Sequence, residues 1–491
     1  MANEEQHSLK ATIVRYFSSM LIKQLFGIIV AILRPKLLTP EQFGLFSLLK
    51  VIPGYASYAQ LGANSAARYS IPRMIAEGRT SEILLLEGSL LGGTLCANIL
   101  FVIIFLFTSW PAAASPEEKA GIFAIALVIL ITWHNDFYVS LLKARQQFDM
   151  VGRTNYIAAT SSFALLPLVY FYEVYGLFIS MVLSLLLVAY FLRSPELISS
   201  GIKFQWRTYV SLARKGFPIM SMGLVIMAIR TTDRFIISGF LGNEQLGFYG
   251  VGAMIFNMLM QLPAVSREVI EPRLMQSLST KSNKENLHAF LVSPLINTAY
   301  LMPFLVGGAF FSAPVAINWL LPQYKAGIPA TQILMIGSFF LGLCYITRGI
   351  IVARNWQLAA LVPALCIMAG NVLLCFFAIH AGFGIEGVAA ASTFSLILLF
   401  CSLIMFIRLK TGADLVNWKR LSILVLIPTL SMFSLLILYR MVAGDGWITF
   451  SANLTGFAVY MPATSLVTFG AIKCFPELKN LLFWGKRSRG N

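Results

Sequence analysis

A chain of 491 residues has length enough for three soluble domains, but its composition excludes a surface built for water. It is 58% hydrophobic and 12% charged, against roughly 45–50% and about 25% in soluble globular proteins. Its 37 Lys and Arg outnumber 21 Asp and Glu, for a net charge of +16, and in so apolar a chain that excess reads as membrane topology rather than as a nucleic-acid surface.

The first ten residues are polar and include Glu4 and Glu5. They lack the basic, apolar, small-residue pattern of a cleaved signal, so the first apolar run is expected to stay as a helix. A helix needs about 20 apolar residues to cross a bilayer. Candidate spans lie near 11–33, 43–66, 83–109, 120–142, 155–172, 174–192, 216–240, 246–266, 287–311, 327–351, 357–379, 385–407, 421–440 and 448–472. This predicts an all-α polytopic membrane protein of about 14 transmembrane helices. The first, second, seventh and eighth spans are the most polar.

Basic residues test that count. With the N-terminus in the cytoplasm, the tails and the loops on that side hold 26 Lys and Arg, whereas the opposite loops hold 4. A missed span would scramble this asymmetry. Both termini are therefore expected in the cytoplasm, with Lys486, Arg487 and Arg489 in a basic tail. The six cysteines (Cys96, Cys344, Cys366, Cys375, Cys401 and Cys474) mostly sit in apolar runs without close pairing, so no disulfide framework or metal site is expected. No GxxxxGK[ST], HExxH or GxSxG motif occurs. The chain is read as a non-enzyme with no cofactor and no catalytic residue.

A weak internal repeat sets the architecture. Leu38, Glu41, Gln42 and Gly44 after the first span are echoed 203 residues later by Leu241, Glu244, Gln245 and Gly247 after the seventh. Ile71-Pro72-Arg73-Met74 is echoed by Glu271-Pro272-Arg273-Leu274 after the eighth. Six spans per unit is an even number, so the copies run parallel about a pseudo-two-fold axis along the membrane normal. The expected organisation is an N-lobe over 1–200, a C-lobe over 201–410, and two extra helices with a basic tail over 411–491. A ligand site is expected at the seam between the lobes.

Charge inside the bilayer costs at least about 2.5 kcal/mol, so intramembrane ionisable residues mark function by default. Lys23 lies near the middle of the first span, and Arg34, eleven residues on, falls roughly 20° from it around the helix. Arg15 precedes them. Span 2 carries Lys50, a Pro53-Gly54 kink, and then Tyr55, Ser57, Tyr58, Gln60 and Asn64. In span 7, Arg230, Asp233 and Arg234 share one side of the helix; span 8 adds Asn257 and Gln261. Lys23, Lys50, Arg230, Arg234, Asn64 and Asn257 are candidate substrate-binding residues in a positive vestibule suited to a phosphate-bearing anion. Asp233, Asp136 and Arg15 are candidates for gating or ion coupling. Competing structural roles are snorkelling for Lys50, charge neutralisation for Asp233, and inter-helix hydrogen bonding for His134 and Asp136.

These features resemble the polysaccharide exporter or O-antigen-type lipid-linked oligosaccharide flippase family of the multidrug/oligosaccharidyl-lipid/polysaccharide exporter superfamily. The resemblance rests on Arg34-Pro35-Lys36-Leu37-Leu38-Thr39-Pro40-Glu41-Gln42-Phe43-Gly44, on Leu61-Gly62 with Arg68 and Pro72, on Thr232-Asp233-Arg234-Phe235-Ile236-Ile237 followed by Leu241-Gly242 and Gly247-Phe248-Tyr249, and on Gly384-Ile385-Glu386-Gly387-Val388-Ala389. It implies two six-helix lobes around a V-shaped cavity. It also implies an undecaprenyl pyrophosphate-linked sugar carried from the cytoplasmic to the periplasmic leaflet of a bacterial inner membrane by alternating access. Arg230, Asp233 and Arg234 stand in the matching motif of span 7; Lys23 and Lys50 come from the reading of the residues alone. Implied partners are the lipid-linked glycan, a coupling ion (H+ or Na+) and polysaccharide assembly enzymes. A cation-coupled multidrug antiporter would instead need an acidic, aromatic cavity, and an O-antigen polymerase or ligase would need a large outer loop.

Overall fold

Lipid offers backbone N–H and C=O groups no partner, so a spanning segment must satisfy them internally, and each apolar run of this chain is built on helix. The computed structural model describes residues 2–144, 147–192, 204–278, 288–411, 416–443 and 450–475. The Arg15, Arg68 and Pro72 side chains, those of Glu271-Pro272-Arg273-Leu274, and the tail residues Lys486, Arg487 and Arg489 lie outside the described residues. The chain forms two compact units, Met1–Leu224 and Val225–Asn491.

The first unit begins with α1 (Ala2–Leu37), α2 (Pro40–Leu49), α3 (Ile52–Ala56) and α4 (Ala63–Ala76). It continues with α5 (Thr80–Ser109), α6 (Pro116–Ala144), α7 (Phe148–Ala164) and α8 (Leu166–Phe191). Thr39 caps α2: its hydroxyl accepts from Gln42 N, while the Gln42 side chain accepts from Thr39 N, and Pro40 follows at the first helical position. Gln42 Nε2 also donates to Glu173 Oε2 at 2.6 Å. The motif read from the sequence after span 1 is thus a helix start pinned to the reversal between spans 5 and 6. That reversal turns on Glu173 (φ 49°), and a side chain at Gly176 would strike the Leu168 carbonyl, so glycine permits the hairpin to close. The unit's core joins Ala63, Ala66, Ala67 and Ile71 of α4 to Leu86, Leu90, Phe137, Leu141, Tyr209 and Leu212.

A long helix, α9 (Trp206–Leu278), is broken at Gly242 (φ 87°). Its residues to Leu224 belong to the first unit and the remainder to the second. The second unit continues with α10 (Ser293–Leu320), α11 (Ile328–Ala353), α12 (Gln357–His380) and α13 (Gly384–Thr411), then α14 (Trp418–Ala443) and α15 (Phe450–Cys474). α11 is mostly apolar and almost wholly buried, packed by α10 and α13, as a central helix must be. The two extra helices dock on α10. The ring of Tyr460 fills the notch left by Gly307 and its hydroxyl donates to the Pro303 carbonyl at 3.0 Å, while Phe311 meets Tyr439 edge-on at 4.8 Å.

Ten described helical stretches are long and apolar enough to cross a membrane, one of them (Trp206–Gln261) covering both the seventh and eighth expected spans. Three expected spans stand outside that set: the first lies in α1, whose side chains before Ser18 are outside the described residues, α7 has only 17 residues before the break at Leu165, and the second span is not one helix. Where a single kinked helix over 43–66 was expected, the chain breaks at Lys50–Val51 and again over residues 57–62.

Candidate functional site

In the second unit, α9 presents Arg230 to three uncharged neighbours. Its two terminal nitrogens donate to Tyr345 Oη at 2.9 Å and Asn257 Oδ1 at 2.6 Å, and its guanidinium carbon stands 5.7 Å from the Phe256 ring centroid. Asn257 is held in turn by its own Nδ2, which donates to the Ala253 carbonyl at 2.8 Å. Arg230 Nε is buried and finds no acceptor, and among the described residues no carboxylate pairs with this guanidinium. The guanidinium is therefore fixed in orientation by uncharged partners, and the nearby Asp233 acts on it only electrostatically. Neutral hydrogen bonds and an aromatic face stabilise a guanidinium while leaving its charge available to an anion.

Asp233, three residues on, points elsewhere. It is buried, at 3% exposure, and the hydroxyl of the fully buried Tyr249 donates to its Oδ2. Its Oδ1 accepts from the Arg234 backbone N at 2.8 Å. Tyr249 belongs to the second copy of the repeat, and this bond ties the two stretches of α9 on either side of Gly242. Arg234 is half-buried.

In the first unit, Lys23 is exposed on α1, and its Nζ donates to Asn155 Oδ1 at 3.2 Å. Asn155 Nδ2 donates to the buried Ser19 hydroxyl at 3.3 Å, closing a small polar seam between α1 and α7. Lys143 and Asp136, seven residues apart on α6 and both exposed, act electrostatically on Lys23. Lys50 is exposed and sits 5.5 Å from the Phe46 ring centroid; Arg34, on the opposite side of the sequence motif, approaches the same ring to 5.9 Å. The expectation that Lys23 and Arg34 share a face is thus resolved into different partners, Asn155 for one and Phe46 for the other. Asn64 donates to Gln60 Oε1 within the interrupted second span. Among the described residues no group of three or more His, Cys, Asp or Glu is placed to hold a metal ion.

The structure thus unites Arg230 with Asn257 and sets Lys23 near Asp136. It adds Tyr345, Phe256, Asn155 and Ser19, which the sequence did not single out. A tyrosine or phenylalanine in an apolar helix carries no signal of its own; Asn155 and Ser19 were visible only as polar residues in spans.

A polytopic helical membrane protein with this order of helices has the fold of the flippases and multidrug transporters. The chain superposes on the "Lipid II flippase MurJ, inward closed conformation" with a TM-score of 0.66 at 15% identity, over 94% of this chain and 100% of that one. It is also similar to an inward-facing "multidrug resistance MATE family transporter of the MOP superfamily", with a TM-score of 0.61 at 14% identity, over 84% and 98% of the two chains. Sequence narrows the class. The family model "Polysaccharide biosynthesis protein" matches residues 9–278, and the chain belongs to that family. A protein of Shigella flexneri named "Putative O-antigen transporter" is 24% identical over 326 residues, covering 63% of this chain and 76% of the relative. The protein is a multi-pass membrane protein of the polysaccharide biosynthesis protein family, built on the fold shared by flippases and multidrug transporters.

Proposed function

We propose that this protein flips an undecaprenyl pyrophosphate-linked oligosaccharide from the cytoplasmic to the periplasmic leaflet of a bacterial inner membrane, by alternating access, during O-antigen-like surface polysaccharide synthesis. The observation that carries the reading is Arg230: a guanidinium in a membrane span, oriented by Tyr345, Asn257 and Phe256, with no carboxylate among the described residues hydrogen-bonded to it. Intramembrane charge of that kind marks a substrate path, and guanidinium is the side chain best matched to phosphate oxygens. Lys23, Lys50 and Arg234 supply further positive charge along the path, and Asn64 and Asn257 supply amides.

In this reading the two lobes, 1–200 and 201–410, alternate between conformations open to either leaflet, both termini stay cytoplasmic, and the lipid tail remains in the bilayer. With no nucleotide-binding motif in the sequence, the cycle draws on an ion gradient or on the membrane potential, worth about 2.3 kcal/mol per elementary charge per 100 mV. Asp233, Asp136 and Arg15 are the residues proposed for gating or for coupling to H+ or Na+. The glycan assembly enzymes are the proposed protein partners. The reading is tested in liposomes carrying undecaprenyl pyrophosphate-linked oligosaccharide in one leaflet, with a membrane-impermeant periodate assay for glycan reaching the other. Protein-dependent transfer is expected; transfer of a cationic dye with no glycan transfer would replace this reading with the antiporter.

A further inference from the structure

We propose that the interrupted stretch of the second span, Ser57–Gly62, is a ledge of backbone acceptors facing a water-filled path, and that it takes hydroxyl groups of the carried glycan. That the solute is a glycan rests on the flippase reading; that the ledge faces water rests on the backbone alone.

Helix stops at Ala56 and resumes at Ala63. Between them Leu61 (φ 50°) and Gly62 (φ 79°) both take the left-handed conformation. The local hydrogen bonds run Tyr58 N to Tyr55 O, Ala59 N to Ala56 O, Leu61 N to Tyr58 O and Ala63 N to Gln60 O. The carbonyls of Ser57, Ala59 and Leu61 accept no bond from the described residues. The expected span 43–66 contains the break, which ends four residues before the span does, so it falls within a hydrocarbon core about 30 Å thick.

One side of the stretch is fixed to protein. Gly62 packs backbone to backbone on Gly216, where a side chain on either glycine would overlap the other's carbonyl. The Tyr209 hydroxyl donates to the Gln60 carbonyl at 3.3 Å, with its ring set in the notch at Gly93. The other side carries Ser57 and Leu61, four residues apart and both exposed. Irregular backbone with unmade hydrogen bonds is tolerated at membrane depth only where protein or water covers it. Among the described residues of the first unit none covers this side, so it is given to water. Discontinuous helices of this kind line solute sites in transporters because their freed carbonyls act as fixed acceptors. Acceptors without charge are complementary to hydroxyl donors, and sugars supply them in series. The phosphate, an acceptor itself, gains nothing from carbonyls and is left to the cationic side chains.

Substituted-cysteine labelling tests both halves. Ser57→Cys and, separately, Leu61→Cys are made in the full chain and treated in membranes with a charged, impermeant methanethiosulfonate. Modification is followed peptide by peptide, with native Cys366, exposed on α12 among apolar side chains, as the lipid-facing control. Because the reactive thiolate forms only where water reaches it, labelling at 57 and 61 is expected at least about tenfold faster than at Cys366. Undecaprenyl diphosphate bearing the oligosaccharide is expected to protect both positions, whereas undecaprenyl diphosphate without sugar is not. Labelling as slow as Cys366 at both positions overturns the water-facing assignment. Rapid labelling with equal protection by the two lipids, or with none, overturns the glycan role. Selective protection without any leaflet transfer would instead remove the flippase reading and leave the ledge standing.

Discussion

Replacing Tyr345 by Phe deletes one oxygen and almost no volume, so it isolates the hydroxyl that holds Arg230. The guanidinium makes two hydrogen bonds, at 2.9 Å to Tyr345 and 2.6 Å to Asn257, with the Phe256 ring on a third side. A hydrogen bond to a charged group contributes about 1.5–3 kcal/mol net. Arg230 is only half-buried and water can partly replace the lost partner, so the low end applies. About 1.4 kcal/mol is a factor of ten in affinity. Binding of undecaprenyl diphosphate, measured by native mass spectrometry or by tracer competition in detergent, should weaken by about tenfold in Tyr345→Phe and by a similar factor in Asn257→Ala. Because both act through one cation, either change should have almost no further effect in an Arg230→Gln background. Full additivity of Tyr345→Phe with Arg230→Gln would refute the reasoning, since Tyr345 would then act independently of the charge it is argued to orient.

Other outcomes follow from particular contacts. Gly307→Ala places a methyl 1.9 Å from a Tyr460 ring carbon, an overpacking expected to cost about 1–3 kcal/mol and to lower the detergent melting temperature; Gly308→Ala, whose nearest neighbour is the flexible Met461 at 3.5 Å, should melt like wild type. Tyr249→Phe leaves the buried Asp233 carboxylate without its hydroxyl donor, at a cost of about 1–3 kcal/mol, and should lower thermal stability more than Tyr345→Phe does. Asn155→Ala frees Lys23 from its amide partner but keeps the charge, so transport should fall less than in Lys23→Met, with Lys23→Arg in between.

Much of the fold was legible because lipid imposes a coarse rule: runs of about 20 apolar residues, with basic residues gathered on one side. The second span escaped that rule. Its Pro53-Gly54 pair marks the first break, at Lys50–Val51, but nothing in the sequence announces the second, Ser57–Gly62, where Gly62 packs on Gly216 and Gln60 accepts from Tyr209, some 150 residues away in sequence. The site was legible as charge and not as geometry. Arg230, Asp233 and Arg234 stood on one helical face, yet packing sends Asp233 to Tyr249 and leaves Arg230 with Tyr345 and Asn257. A partner chosen by tertiary contact leaves no spacing to read, which is why Tyr345, on α11, was invisible.

The most direct test of the account compares leaflet transfer of undecaprenyl pyrophosphate-linked oligosaccharide by wild type, Lys23→Ala and Arg230→Ala in liposomes at matched protein density. Robust transfer is expected of wild type and a loss of at least about tenfold in each variant, with both still folded by melting temperature. Transfer at the wild-type rate in both would contradict this expectation, because the intramembrane cations would then have no part in moving the anionic head.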